Sequence, residues 1–315
     1  MNTKIKIHSS QSTQRIDKFL ASFYSEKSRA SWQKRIKNKE VLVNKKIIKA
    51  DYVLKEGDEV EILEISPAPF NKTSPSPSLL GGEIEIIYED DDVIVINKPA
   101  GVLAQNAESS RSPSVSDFLV KHYPEIKNVG EDEMRFGVVH RLDKDTSGVM
   151  IVAKNNEAFE FLKEQFKNRK TQKTYLALVY GNVKPPKGEI NFKIGRSKTR
   201  SNMQTVIDTK KKENIKSREA LTIYKTIKSF ENYTLLEVQP KTGRMHQIRV
   251  HLKAIGYPVV GDRKYFFRKH RSKDLELKRQ FLHASELKIK LLDGKDKTFK
   301  AELASDLENF LDKLF

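Results

Sequence analysis

After Thr13, the apolar residues Ile16, Phe19, Leu20 and Phe23 recur at helical spacing, which predicts a short amphipathic helix capped by Ser12 or Thr13. A second helix is expected over residues 28–38, then the strand Val41–Val43 and a turn at Asn44-Lys45. Residues 66–82 hold four prolines and neither a helical nor a strand period, so they read as a flexible linker. The chain thereby divides into a small module over 13–65 and a larger domain over 83–315. In the larger part Ile84, Ile86 and Tyr88 alternate with acids before the apolar run 93–96. Further strand-like runs fall at 137–139, 149–153, 174–180, 220–226, Tyr233–Pro240 and 287–292, with helical patterns at Val115–His122, 157–168 and Gln247–Ala254. Many strands punctuated by few helices predict an α+β fold on a mixed or antiparallel sheet, preceded by a small α/β module.

Charge narrows the class of partner. Lys and Arg total 59 against 42 acids in 315 residues, a net charge of +17, which suits a polyanion. Between residues 28 and 49 eight basic side chains face one acid, Glu40, on a compact helix–strand unit rather than a tail. Residues 163–218 carry sixteen basic against four acidic residues, and Arg268-Lys269-His270-Arg271 adds more, which predicts a second phosphate-binding face. The six carboxylates of residues 83–92 are expected to face away from such a ligand.

Composition also excludes classes. The absence of cysteine removes disulfides, thiolate metal sites and cysteine nucleophiles, and agrees with a cytoplasmic location. No stretch approaches the ~18 apolar residues of a membrane span, so no membrane partner is expected. His246 and His251 stand five apart, a spacing that suits packing better than a zinc site, so no metal is expected from them or from His140 and His283. Gly148 and Gly243 belong to no Gly-x-Gly-x-x-Gly loop, so no nucleotide cofactor is implied.

Candidate chemistry concentrates in the polar segment His140-Arg141-Leu142-Asp143-Lys144-Asp145-Thr146-Ser147-Gly148, set between two apolar runs. On its own it also reads as a turn in which Asp145, Thr146 and Ser147 bond backbone amides. The string His140-Arg141-Leu142-Asp143, then Thr146-Ser147-Gly148, resembles the signature of RluA-type pseudouridine synthases. Three further segments resemble that family in the same order. They are Asn97-Lys98-Pro99-Ala100-Gly101, Lys173-Thr174-Tyr175-Leu176-Ala177, and Gly243-Arg244-Met245-His246-Gln247-Ile248-Arg249-Val250-His251-Leu252 with Gly261-Asp262 after it. After Gly101, Val102-Leu103-Ala104-Gln105-Asn106 replaces the Val-His-Pro-like turn common in the family. The N-terminal module resembles the S4 RNA-binding domain in Arg15-Ile16-Asp17-Lys18-Phe19-Leu20, Arg35-Ile36-Lys37, Val41, Val43-Asn44 and Lys55-Glu56-Gly57-Asp58.

These resemblances imply a cofactor-free isomerase that breaks the uracil N1–ribose C1′ bond, turns the base and rejoins C5 to C1′. They assign Asp143 as the catalytic carboxylate, either nucleophile at C1′ or base on the sugar, with Asp145 as its rival. Arg141 would fill the space vacated by the flipped base, Tyr175 would pack on the uracil and lend its hydroxyl to the closing proton transfer, and Arg249 would pair with Asp143. In the S4-like module Arg29, Lys34, Arg35, Lys37, Lys45 and Lys46 would contact phosphates. The expected substrate is large-subunit ribosomal RNA, with transfer RNA as the alternative and ribosomal precursor particles as wider partners, acted on by a monomer. A non-catalytic RNA-binding assembly factor, or a metal-dependent RNA enzyme, are the rival classes.

Overall fold

The computed structural model describes residues 3–24, 29–37, 39–63, 78–79, 82–105, 112–131, 135–197, 203–207, 216–270 and 277–315. The chain forms two compact units, an N-terminal one and one built from Ser76–Leu291 and Asp296–Phe315. Most of the linker expected over 66–82 lies outside the described residues; Ser78–Leu79 and Gly82–Glu83 pair as a short two-stranded sheet.

In the N-terminal unit helices α1 (Ile16–Phe23) and α2 (Arg29–Lys37) accompany a four-stranded antiparallel sheet in the order Thr3–Lys6, Glu59–Ile62, Val41–Val43, Lys46–Ile47. Thr3–Lys6 belongs to this sheet, so the unit includes residues before Thr13. Ile16, Phe19 and Leu20 bury the apolar stripe of α1 with Trp32, Ile36, Val41 and Val60. Neither Ser12 nor Thr13 caps α1: Arg15 occupies that place without a side-chain bond, and Ile16 N–H donates to Tyr52 O instead. Thr13 adopts a left-handed φ of 71° that carries it away from the helix end. The buried Asp17 accepts from Arg15, Arg29 and Gln33, joining α1 to α2. Burial opposes ionisation there, but these donors outweigh it and pull the carboxyl down to about 2.

The larger unit is α+β. Its nine-stranded mixed sheet runs Lys187–Asn191, Leu221–Ser229, Tyr233–Pro240, Gln172–Tyr180, Leu282–Lys290, Ser147–Ala153, Val93–Lys98, Glu85–Glu89, with Asp296–Lys300 also paired to Leu282–Lys290. Every pair is antiparallel except Leu282–Lys290 with Ser147–Ala153, which run parallel through His283–Ser147 and Ala284–Gly148. At that crossing Gly148 has φ 118°, and a Cβ there would overlap the Ala284 carbonyl, so only glycine admits the approach. Helices α3 (Val115–His122), α4 (Asn156–Lys167), α5 (Gln247–Ala254) and α6 (Ser305–Asp312) and a three-stranded sheet of Gln204–Ile207, Lys193–Arg196 and Ser217–Arg218 also belong to the unit. Ser114 and Asp117 form a capping box on α3, and Asn155 caps α4 through Ala158 N–H. Leu178, Leu236, Leu252, Val259 and Phe281 are core residues that bind α5 to the sheet.

Two strand assignments change. Residues 137–139 make a single bridge, Val138 to Val152, because Phe136 and Gly137 both take positive φ and turn the chain. The strand expected at 287–292 spans Leu282–Lys290, its register set by Gln172–Tyr180 and Ser147–Gly148 rather than by its own pattern.

Candidate active site

Asp143 sits on the loop that enters the strand Ser147–Ala153, and successive carbonyls of that loop are held by separate donors. Asp143 O accepts from Thr146 N–H at 3.0 Å, and Lys144 O accepts from Gly101 N–H at 3.0 Å and from Lys98 Nζ at 3.1 Å. Asp145 O accepts from Arg279 Nη1 at 3.1 Å. Lys98 is buried and divides its three protons among the carbonyls of Pro99, Val102 and Lys144. Burial pulls its ammonium down to about 7, with Asp145 and Asp143 opposing the shift. Arg279 also forks onto Asp306 at the start of α6, at 2.7 Å for both contacts, and donates to Ser147 Oγ. The backbone around Asp143 is thus held from two distant parts of the chain, residues 98–101 and Arg279, the latter anchored on Asp306.

The side chain points into a cleft of about 630 Å³. Its Oδ2 accepts from Arg249 Nη1 at 2.9 Å. Arg249, buried on α5, turns its other edge to Asp262 as a two-point fork, Nε to Oδ2 at 2.6 Å and Nη2 to Oδ1 at 2.9 Å. Asp262 Oδ1 further accepts from the N–H groups of Lys264 and Tyr265. Burial disfavours both charges, yet their mutual contact prevails: Asp262 stays below the ordinary carboxylate range and Arg249 is raised. Gln247 fixes the start of α5 by accepting from Thr242 Oγ1 and Arg244 N–H and donating to Leu221 O and Thr222 Oγ1.

Among the described residues Asp143 is the one acid lining this cleft, and Arg141, Lys167, Arg169, Lys173, Lys241 and Arg244 surround it. Arg141 is exposed at the opening, whereas Asp145 is exposed outside the lining. Tyr175 faces the cleft from Gln172–Tyr180, where a register shift between Thr174 and Tyr175 re-aims the strand. Burial first, and Asp143 second, raise its phenol. The structure therefore brings Asp143, Arg249, Tyr175 and Arg141 to one cleft.

The histidines have separate surroundings. His140 stacks on Phe166 with 4.4 Å between ring centroids and accepts from Ile151 N–H. His251 bonds Thr222 Oγ1 and Phe192 O, and His283 bonds Ser147 Oγ and Ala301 O. In the N-terminal unit Lys37, Lys45 and Lys46 are exposed, whereas Arg29 pairs with Asp17 and Arg35 is committed to Glu40 and Leu63 O. Arg35 therefore has little freedom to reach a phosphate. The side chain of Lys34, together with Lys210-Lys211-Lys212 and Arg271, lies outside the described residues. Asp262, Lys98, Arg279 and Asp306 carried no role in the sequence; Lys98 and Asp262 stood inside recognised motifs, which was their one signal.

A family model described as RNA pseudouridylate synthase matches residues 92–254, and the S4 domain model matches residues 14–60. The chain belongs to the RluA family of RNA pseudouridine synthases. A Bacillus subtilis (strain 168) relative named an uncharacterized RNA pseudouridine synthase is 36% identical over 310 residues, covering 96% of this chain and 95% of the relative. The Borreliella burgdorferi protein named ribosomal large subunit pseudouridine synthase D is 37% identical over 276 residues, 87% of this chain and 79% of its own. A solved human structure, RNA Pseudouridylate Synthase Domain Containing 4, aligns with a TM-score of 0.59 at 26% identity, over 73% of this chain and 92% of that one. The pseudouridine synthase is thus an RNA-acting isomerase with an N-terminal S4 domain.

Proposed function

We propose that this enzyme isomerises uridine in large-subunit ribosomal RNA and that Asp143 supplies the carboxylate for N1–C1′ cleavage. The observation that carries this reading is the placement of Asp143, the single acid among the described residues that line a cation-rich cleft, paired with the buried Arg249. A carboxylate so paired is oriented by the guanidinium and aimed at the charge that develops on an anomeric carbon. Cleavage at C1′, rotation of the base and closure through C5 exchange one C–H proton for one N1–H proton, so no redox partner enters.

Arg141, exposed at the opening, is free to occupy the space of a flipped base. The Tyr175 phenol is held protonated, so it serves through its ring and as a hydroxyl donor rather than as a phenolate base. Arg169, Lys241 and Arg244 lead flanking phosphates to the cleft, and Lys37, Lys45 and Lys46 of the S4 domain anchor structured RNA. The ribosomal target is supported by the name of the Borreliella relative and by the accompanying S4 domain.

The test is pseudouridine content of bulk ribosomal RNA after incubation with wild type or Asp143→Asn, in chelator and without added cofactor. Conversion by the wild type alone is expected. Conversion by both proteins would remove Asp143 from the chemistry. Conversion of transfer RNA in place of ribosomal RNA would move the substrate, and conversion of neither would sink the reading.

A further inference from the structure

Arg249 engages only Oδ2 of Asp143. Oδ1 accepts no hydrogen bond among the described residues, and His246 Nε2 lies 4.0 Å from it. Both residues line the cleft, and both side chains keep some exposure to it, 11% for His246 and 21% for Asp143.

The proton on the His246 ring can be located from its neighbours. Tyr265 Oη accepts from Gln204 N–H at 2.7 Å and lies 2.8 Å from His246 Nδ1. A phenol has one proton to give, and giving it to Nδ1 leaves neither group unsatisfied. Burial lowers the tendency of His246 to take up a second proton, although Asp143 pulls the other way. The neutral ring therefore carries its proton on Nε2, on the side of Asp143 Oδ1. His246 is also held at a left-handed φ of 56°, uncommon for a residue with a side chain and fixed here by the turn into α5.

A donor and a carboxylate oxygen 4.0 Å apart are too distant to bond each other. One oxygen seated about 2.8 Å from each would bond both. It must accept from Nε2–H and donate to Oδ1, which a phosphate oxygen or a base carbonyl cannot do and a hydroxyl can. In RNA the hydroxyl nearest the carbon at which Asp143 acts is the ribose 2′-OH, carried by C2′, the carbon bonded to C1′. We propose that His246 Nε2 and Asp143 Oδ1 together seat the 2′-hydroxyl of the target uridine, and that His246 thereby selects ribose over deoxyribose. This rests on the assignment of Asp143 to chemistry at C1′, and it gives the enzyme a means to tell RNA from DNA at the reacting nucleotide.

The experiment uses the full chain and a synthetic RNA spanning the uridine converted in bulk ribosomal RNA, made with uridine or 2′-deoxyuridine at that one position. Asparagine tolerates left-handed backbone, so His246→Asn keeps the turn while its amide falls short of the hydroxyl. His246→Gln restores a longer amide donor. Wild type should favour the ribose substrate in kcat/KM by about 100-fold. His246→Asn should narrow that ratio about 10-fold by slowing the ribose substrate, with the deoxy substrate within about 3-fold and His246→Gln recovering much of the loss. Intrinsic differences between the two sugars cancel in the comparison of variants. Equal slowing of both substrates by His246→Asn would mark a merely structural role and overturn the inference, as would an unchanged ribose preference. Failure of the wild type on the ribose substrate would instead overturn the Asp143 reading, and this one with it.

Discussion

Asp143 and Arg249 stand 106 residues apart in the chain, and the guanidinium Nη1 lies 2.9 Å from Oδ2 of the carboxylate. Arg249 joins two carboxylates at once, Asp143 at one edge and Asp262 at the other. Removing it frees the first from its orienting charge and leaves the second buried without a counter-ion.

Arg249→Ala is therefore expected to lower kcat by about 1,000-fold or more while RNA affinity stays within about 3-fold, since the cations surrounding the cleft remain. Arg249→Lys should restore little, because one ammonium cannot serve two carboxylates through a planar fork. Single-turnover rates at saturating RNA beside equilibrium binding check both. Lost binding with a preserved rate would reassign Arg249 to substrate capture.

Stability should depend on acidity through two buried histidines. Burial lowers His140 to about 3 and His283 to about 4, both below the ordinary value of 6.5. Between those values the unfolded chain binds protons that the folded chain lacks, so these two rings make unfolding free energy rise with pH from about 4 to 6.5, and their contribution levels off above. Each histidine contributes a slope of at most about 1.4 kcal/mol per pH unit. Urea midpoints at pH 4.5, 5.5, 6.5 and 7.5 report it, and His283→Gln should remove one proton's share of the slope. A flat profile would mean that these rings are protonated in place.

Electrostatic capture should be visible as a salt effect. Arg169 and Lys241 line the cleft without a carboxylate partner among the described residues. Replacing both by alanine should reduce the slope of log affinity against log salt by about 1 to 2. An unchanged slope would place RNA phosphates elsewhere.

Lys98→Met deprives three carbonyls of their shared donor. The expected cost is about 3 kcal/mol of stability, with loss of activity beyond what the unfolded fraction explains, because one of those carbonyls belongs to the residue after Asp143. Denaturant unfolding and kcat on the same sample separate the two effects. Normal turnover by the folded fraction would show that the loop holds its shape without Lys98.

Local patterns carried the parts of the fold that local physics decides. Val115–His122 and Gln247–Ala254 appear with the predicted bounds, the first closed by a Ser114–Asp117 box and the second fixed by Gln247. The loop that bears Asp143 was legible through its motif, as was the gathering of Asp143, Tyr175 and Arg249 at one cleft. Residues 282–286 were missed because His283, Ser285 and Glu286 break the apolar pattern, while the strand is held by neighbours on both sides. Lys98, Asp262 and Arg279 were harder still. Each is a charged type that reads as surface, each is buried, and Asp262 is 13 residues from its fork partner while Arg279 is 134 from the carbonyl that it holds.

The fastening of the loop around Asp143 also bears on timing. Its distant donors come from Lys98 and Gly101 and from Arg279, which Asp306 orients, so no short contiguous segment can aim the carboxylate. Contacts of such sequence separation close after local ones in folding, since long loops must be ordered first. A nascent or partly folded chain would already display the basic surfaces that attract RNA, yet its carboxylate would remain unaimed until Asp306 is in place. Attraction for a polyanion thus precedes completion of the cleft, whose carboxylate is aimed only in the finished fold.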